Sequence, residues 1–214
     1  MNIEVLHVGP LGTNCYVVWD DNDVCAVVDC GGQAEKVAEF IEEKHLKPSH
    51  MLLTHGHGDH IGGVEGFLTM YPHVQVVMAK EDIEMISDRQ KSMADPCGCE
   101  QSEFEVDLIV DEGDVVNVGD MEFHVLKTPG HTDGGVTYIM GKMMFTGDTL
   151  FAGSMGRTDL YGGDNAKMAA SLKRLGEIDG YYVVLPGHGT ASNLEDERRA
   201  NPFIRKAREG KVLL

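Results

Sequence analysis

Short apolar runs rich in β-branched residues open the chain at residues 3–8, 15–19 and 24–29. Gly-Pro, Gly-Thr-Asn and Asp-Asn-Asp turn chemistry separates them, which predicts an antiparallel meander. The period then changes. Over residues 33–45, Val37, Ala38, Phe40 and Ile41 share one face while Glu35, Lys36, Glu39 and Glu42 lie elsewhere. This pattern predicts an amphipathic helix, closed by Pro48. Residues 51–53 predict a buried strand. A helix is predicted over 61–70, with Val64, Phe67 and Leu68 at core spacing, then a strand over 74–79 and a short helix over 81–87. Residues 88–105 are polar, contain Pro96, show no clear period and read as a surface excursion. The second half repeats the scheme, with strands at 115–118, 122–127, 136–140 and 143–146, a helix at 166–175 and a strand at 182–185. Residues 193–209 are helical with a break at Pro202. Strands followed by a βαβ pattern, twice, predict two sheets face to face with helices outside. That is a four-layer αββα sandwich of the α/β class, with residues 1–214 as one domain.

Composition narrows the partners. Hydrophobic residues make up 42 % and charged residues 25 %, which supports a full core and argues against disorder. Lys and Arg total 18 against 35 Asp and Glu, a formal charge of −17. Such a chain repels nucleic-acid backbones and anionic membrane surfaces, so the expected partner is a small-molecule substrate. No apolar run approaches a membrane span and no signal segment is evident at the start. Five cysteines, an odd number, point to a reducing cytoplasm rather than a disulfide framework.

The densest chemistry is Thr54-His55-Gly56-His57-Gly58-Asp59-His60. In an extended loop, alternate positions point His55 and His57 the same way, and Asp59 and His60 can turn toward a neighbouring position. Gly56 and Gly58 disfavour a continuous helix here and let the backbone bend around a small ion. Further candidates are found by position. His131 follows the 122–127 strand, Asp148 the 143–146 strand and His188 the 182–185 strand, each beside a glycine. The carboxyl ends of strands are where α/β sheets bind ligands. Together these are five histidines and two aspartates, enough donors for two ions with an open position. Nitrogen and oxygen donors without cysteine suit zinc, iron and manganese alike, so availability decides, and zinc is the expected ion.

The His-x-His-x-Asp-His run, followed by an isolated His, an Asp and a His, resembles the metallo-β-lactamase superfamily. The resemblance runs nearly end to end and includes Val27-Val28-Asp29-Cys30-Gly31-Gly32, Thr128-Pro129-Gly130-His131-Thr132 and Pro186-Gly187-His188-Gly189. Through Phe145-Thr146-Gly147-Asp148-Thr149-Leu150-Phe151 and Ser154-Met155-Gly156-Arg157-Thr158-Asp159 it is similar to the short, single-domain glyoxalase II-like (hydroxyacylglutathione hydrolase-like) enzymes. The resemblance implies two divalent ions, one on His55, His57 and His131, the other on Asp59, His60 and His188, with Asp148 bridging. It implies hydrolysis of a thioester, such as an acyl-glutathione, by a metal-bound hydroxide that Asp59 orients and deprotonates. Asp29 resembles an early superfamily aspartate that orients a ligand histidine, although a turn-capping aspartate reads the same. Arg157 is suited to grip a substrate carboxylate or to pair with Asp159, and Tyr161 to line the mouth of the site. Only 26 residues follow His188, too few for the glutathione-binding helical domain of glyoxalase II proper. The runner-up is a mononuclear-iron persulfide dioxygenase using the equivalents of His55, His131 and Asp148. Hydrolases of lactones, lactams or phosphodiesters share the scaffold. A non-catalytic relative would have lost ligands, and none of the seven is missing. His7, His45, His50, His73 and His124 read as surface or packing residues, Cys15, Cys25 and Cys30 as buried thiols, and Cys97 and Cys99 as two exposed thiols.

Overall fold

The inner strands of the first half, around residues 15–19, 24–28 and 51–53, are apolar on both faces, so they need cover on both sides. A computed structural model describes residues 1–211 and supplies that cover. The first sheet runs in the order β1 (Asn2–Val8), β2 (Thr13–Trp19), β3 (Val24–Val28), β4 (Lys47–Leu52), β5 (Gln75–Ala79), β6 (Leu108–Val110). It is antiparallel through β3 and parallel beyond it. Helices α1 (Ala34–Glu43), α2 (Gly58–Ile61), α3 (Val64–Met70) and α4 (Ala94–Cys97) fall in its crossovers. In the second half come β7 (Val115–Val118), β8 (Met121–Lys127), β9 (Val136–Met140) and β10 (Met143–Gly147). A small hairpin, β11 (Leu150–Phe151) and β12 (Ser154–Met155), precedes α5 (Asn165–Glu177). Strands β13 (Val183–Pro186) and β14 (Ser192–Asn193) complete the second sheet, whose order is β14-β13-β10-β9-β8-β7. Helices α6 (Leu194–Ala200) and α7 (Pro202–Arg208) follow, and the Asn201 side chain accepts from the backbone N–H groups of Phe203 and Ile204 where Pro202 breaks the helix.

Side-chain alternation sorts the core into three layers. Val18, Val28, Tyr138 and Phe145 meet between the sheets. Val17, Val27, Ile41 and Phe67 pack between the first sheet and its helices, and Met144, Val184, Leu172 and Ile204 between the second sheet and α5–α7. This is the αββα sandwich that the periodicity predicts.

Four local expectations are corrected. The helix predicted over 61–70 is two helices. The break at Gly62 and Gly63 lets the chain press against the turn after β3, where the Gly63 N–H donates to the Cys30 carbonyl oxygen at 2.8 Å. The His-rich loop is also not extended throughout, because α2 begins at Gly58 and carries Asp59 and His60 on a helical turn. The 88–105 segment is not a plain surface excursion. It wraps α2, with Ser92, Ala94, Cys99 and Ser102 buried, the Gly58 N–H donating to the Ser92 carbonyl oxygen and the Ser102 hydroxyl to that of Gly62. Cys99 is therefore a buried thiol, and Cys97 a half-buried one, rather than two exposed thiols. Its contacts use backbone groups and small side chains, which leave no apolar period in the sequence. The three-residue strand β6 was likewise without a signal, being too short to alternate. Among the described residues, no helix is long and apolar enough to cross a membrane.

Candidate metal centre

Strand β4 ends three residues before His55, β10 ends beside Asp148, β13 ends two residues before His188, and His131 lies four residues past β8. These ends lie at one rim of the sandwich. His55, His57 and His131 bring one donor atom each within 4.8 Å of one another, as do Asp59, His60 and His188, and as do His55, His60 and Asp148. Asp148 joins the first two groups. Its Oδ2 is 3.5 Å from His131 Nε2 and 3.6 Å from His188 Nε2, and its Oδ1 is 3.3 Å from His60 Nε2 without the alignment of a hydrogen bond. Asp59 Oδ2 accepts from the Thr13 hydroxyl at 3.2 Å and lies 2.9 Å from His188 Nε2. Every predicted ligand position is thus in the cluster. Gly187 makes the approach feasible, since a Cβ there would lie 2.4 Å from Asp148 Oδ1 and 2.5 Å from His60 Cε1.

Hydrogen bonds around the rim set which imidazole nitrogen is free. Asp29 Oδ2 accepts from His60 Nδ1–H at 2.9 Å and from the Thr54 hydroxyl at 2.7 Å, while Oδ1 accepts from the Thr54 N–H at 2.8 Å. Having spent its proton on Asp29, the Thr54 hydroxyl oxygen can only accept from His55 Nδ1–H, 3.1 Å away. His131 Nδ1–H donates to the Arg157 carbonyl oxygen at 2.7 Å. With Nδ1–H donating in each of these three rings, Nε2 is the nitrogen that faces the cluster and can offer a lone pair to a cation. His131 Nε2 lies 2.8 Å from His57 Nδ1, and His55 Nε2, His57 Nε2 and Asp148 Oδ1 are buried with no hydrogen-bond partner. Converging, unsatisfied lone pairs are costly to bury and are relieved by a cation among them, so the donor set fits divalent ions.

The local electrostatics divide the rings. Burial, then the neighbouring imidazoles, push His55 well below its usual range, and burial and His131 push His57 down to about 3, so both are neutral donors. Burial would lower His60 too, but the carboxylates of Asp59, Asp148 and Asp29 outweigh it and raise that ring well above the usual range. Burial works to raise Asp59 and Asp148, yet His60 and the other rings prevail and hold both carboxyls low, Asp148 at about 2.

Residues without a sequence signal also build the rim. Asn14 Nδ2 donates to the carbonyl oxygens of Pro186 and Gly189, and the Tyr16 hydroxyl to that of Pro186, anchoring the His188 loop. Fully buried Asp82 accepts from the Gly56 N–H, the Thr132 hydroxyl and the Gly134 N–H, tying the His55–His57 loop to the His131 loop. Lone Asn, Tyr and Asp residues in loops and strands carry no spacing that announces this. Replacing Asp82 with alanine strands two buried N–H groups, so a loss of about 2–5 kcal/mol in urea unfolding is expected, with an unchanged m-value. Arg157 has an exposed guanidinium that pairs with Asp159 through two bonds of 2.7 Å, while its backbone orients His131. Tyr161 is 44 % exposed, with its hydroxyl donating to Glu84.

A family model described as the Metallo-beta-lactamase superfamily matches residues 8–188. The chain belongs to the metallo-beta-lactamase superfamily. It is 34 % identical to "Hydroxyacylglutathione hydrolase GloC" of Haemophilus influenzae, over 95 % of this chain and 98 % of that one. Three solved structures share the fold closely. The BLEG-1 B3 metallo-beta-lactamase has a TM-score of 0.89 at 30 % identity, covering 95 % of this chain and 99 % of that one. TTHA1623 in a di-iron-bound form has a TM-score of 0.84 at 33 % identity, covering 94 % and 99 %. ETHE1 from Myxococcus xanthus has a TM-score of 0.77 at 28 % identity, covering 99 % and 92 %. This superfamily member is a metal-dependent hydrolase whose residues 54–60, 131, 148 and 188 build the donor cluster.

Proposed function

We propose that the chain hydrolyses a thioester of the acyl-glutathione class, using two divalent ions, zinc first, with a donor set that accepts iron or manganese as well. His55, His57 and His131 hold one ion and Asp59, His60 and His188 the other. The observation that carries this reading is the reach of Asp148 toward both groups, 3.5 Å to His131 and 3.3 Å to His60. When bound, the ions supply the acidity that makes water a nucleophile near neutral pH and the positive charge that stabilises an oxyanion. Asp59 Oδ2, oriented by Thr13, accepts the proton of the attacking water. His188, with its side chain 27 % exposed, and Asp148 form the open side where substrate enters. Arg157 grips a substrate carboxylate by exchanging its exposed Asp159 partner, a pair that costs little to open, and Tyr161 lines the mouth. Support for the thioester comes from the Haemophilus influenzae relative, which is matched over 98 % of its length and so has little room for an added substrate domain.

The test is release of free thiol from S-lactoylglutathione by metal-loaded protein, with the bound metal counted. Turnover that vanishes on chelation and returns with zinc is expected. No thiol release, together with oxygen uptake on a glutathione persulfide and one bound iron, overturns the reading in favour of the persulfide dioxygenase.

A pH dependence follows from the opposite shifts of the rings. A proton competes for His60 at higher pH than for His55 or His57, because acidic neighbours raise the first and burial lowers the others. Acidification therefore empties the Asp59–His60–His188 group first. Metal content after dialysis at falling pH should step from about two to about one and only then to zero; simultaneous loss of both would contradict it.

A further inference from the structure

The Cys97-Gly98-Cys99 turn lies outside the donor set, and no step above uses it. We propose that Cys97 and Cys99 form a redox-active dithiol that is oxidised by a low-molecular-weight disulfide, and that closing it loosens the packing behind the helix carrying Asp59 and His60.

The backbone brings the pair together. Gly98 sits in the left-handed helical region (φ 66°, ψ 27°), the mirror image of a helical residue. Cα atoms two apart in a helix are about 5.4 Å apart, within the span a disulfide bridges. The Cys99 Sγ–H donates to the Cys97 carbonyl oxygen at 3.7 Å, so the Cys99 side chain folds back over the Cys97 backbone. Access is graded. Half-buried Cys97 is close enough to the rim to feel the charges of Asp59, His60 and Arg157, while Cys99 lies buried behind it. Cys15, Cys25 and Cys30 are fully buried in the first sheet's core, shielded from an oxidant. The turn is also coupled to the site. The Cys99 N–H donates to the Ala94 carbonyl oxygen at 2.9 Å, and Ala94 packs on Gly58, the first residue of α2, whose N–H donates to the Ser92 carbonyl oxygen at 2.7 Å. Bonding Cys99 Sγ to Cys97 Sγ breaks its hydrogen bond to the Cys97 carbonyl oxygen and moves the backbone segment that holds Ala94.

The chemistry balances. The Cys97 thiolate attacks one sulfur of R–S–S–R, forms Cys97–S–S–R and expels RS⁻, which takes up the proton Cys97 lost. Cys99 then attacks the Cys97 sulfur and expels the second RS⁻, which takes the Cys99 proton. Two protein thiols are oxidised and one small disulfide is reduced to two thiols. Burial pushes both thiols up, Cys99 to about 12, so exchange quickens in mild alkali.

The experiment treats zinc-loaded protein with excess glutathione disulfide and reads intact mass, so it needs no turnover and its outcome is separate from the thioester reading. The wild type should lose about 2 Da, mapped to Cys97 and Cys99 and reversed by dithiothreitol. Cys99→Ser should trap a glutathione adduct on Cys97, and Cys97→Ser should show neither product. The backbone amides of residues 58–62 should exchange several-fold faster in the oxidised form. No loss of mass in the wild type, or the same loss in Cys97→Ser, overturns the dithiol. Unchanged amide exchange overturns its coupling to the site.

Discussion

Asp148→Asn should lower thioester turnover by roughly 10³-fold while the chain stays folded. The side chain follows β10 at the rim and, among the described residues, is the carboxylate that reaches both donor groups. Asparagine keeps its volume, so the approach past Gly187 is unchanged. It loses one negative charge and presents an NH₂ group, which cannot serve as a donor to a cation. The His60 ring also loses one of the carboxylates that raise it. Metal analysis should find at most about one ion per chain, and circular dichroism should match the wild type. A D148N variant that keeps both ions and turns over within tenfold of the wild type would refute the bridging role.

Asp29→Ala should weaken metal binding by about 10–100-fold and cost about 3–5 kcal/mol of stability. This carboxylate never touches the cluster's open side. It accepts from His60 Nδ1, the Thr54 hydroxyl and the Thr54 N–H, all buried, and through Thr54 it also fixes the ring of His55. Removing it leaves a buried N–H and an imidazole without their partner, and frees both rings to turn. Asp29→Asn separates the two effects. Its amide oxygen can still accept from Thr54, so much of the stability should return. It cannot serve Thr54 and His60 as two full carboxylate oxygens do, so the metal affinity should remain low. Metal titration and urea unfolding of both variants provide the check. Unchanged metal affinity in Asp29→Ala would reduce this residue to a turn-capping aspartate.

The layers were legible because strand and helix periods are local properties of the chain. Runs such as 15–19 and 33–45 announce which faces are apolar, and faces that are apolar must be covered. The donors were legible too, since His55, His57, Asp59 and His60 crowd one short run while His131, Asp148 and His188 each stand after a strand. The 88–105 strap leaves no such signal, because its buried contacts are backbone carbonyls and the small side chains of Ser92, Ala94, Cys99 and Ser102. Asp82 was missed because its three donors come from residues 26 to 52 positions away.

By itself the sequence determined the kinds of donor atom, their places after strands and the two-sheet layering, because turn chemistry and side-chain alternation act over a few neighbouring residues. Only the tertiary structure decided that His60 and His188, 128 residues apart, bring their Nε2 atoms to 3.4 Å, that Asp148 spans both donor groups and that Asp29 and Asp82 hold the loops in place. Those distances arise where two sheets pack face to face, and no local period encodes the register of one sheet against another.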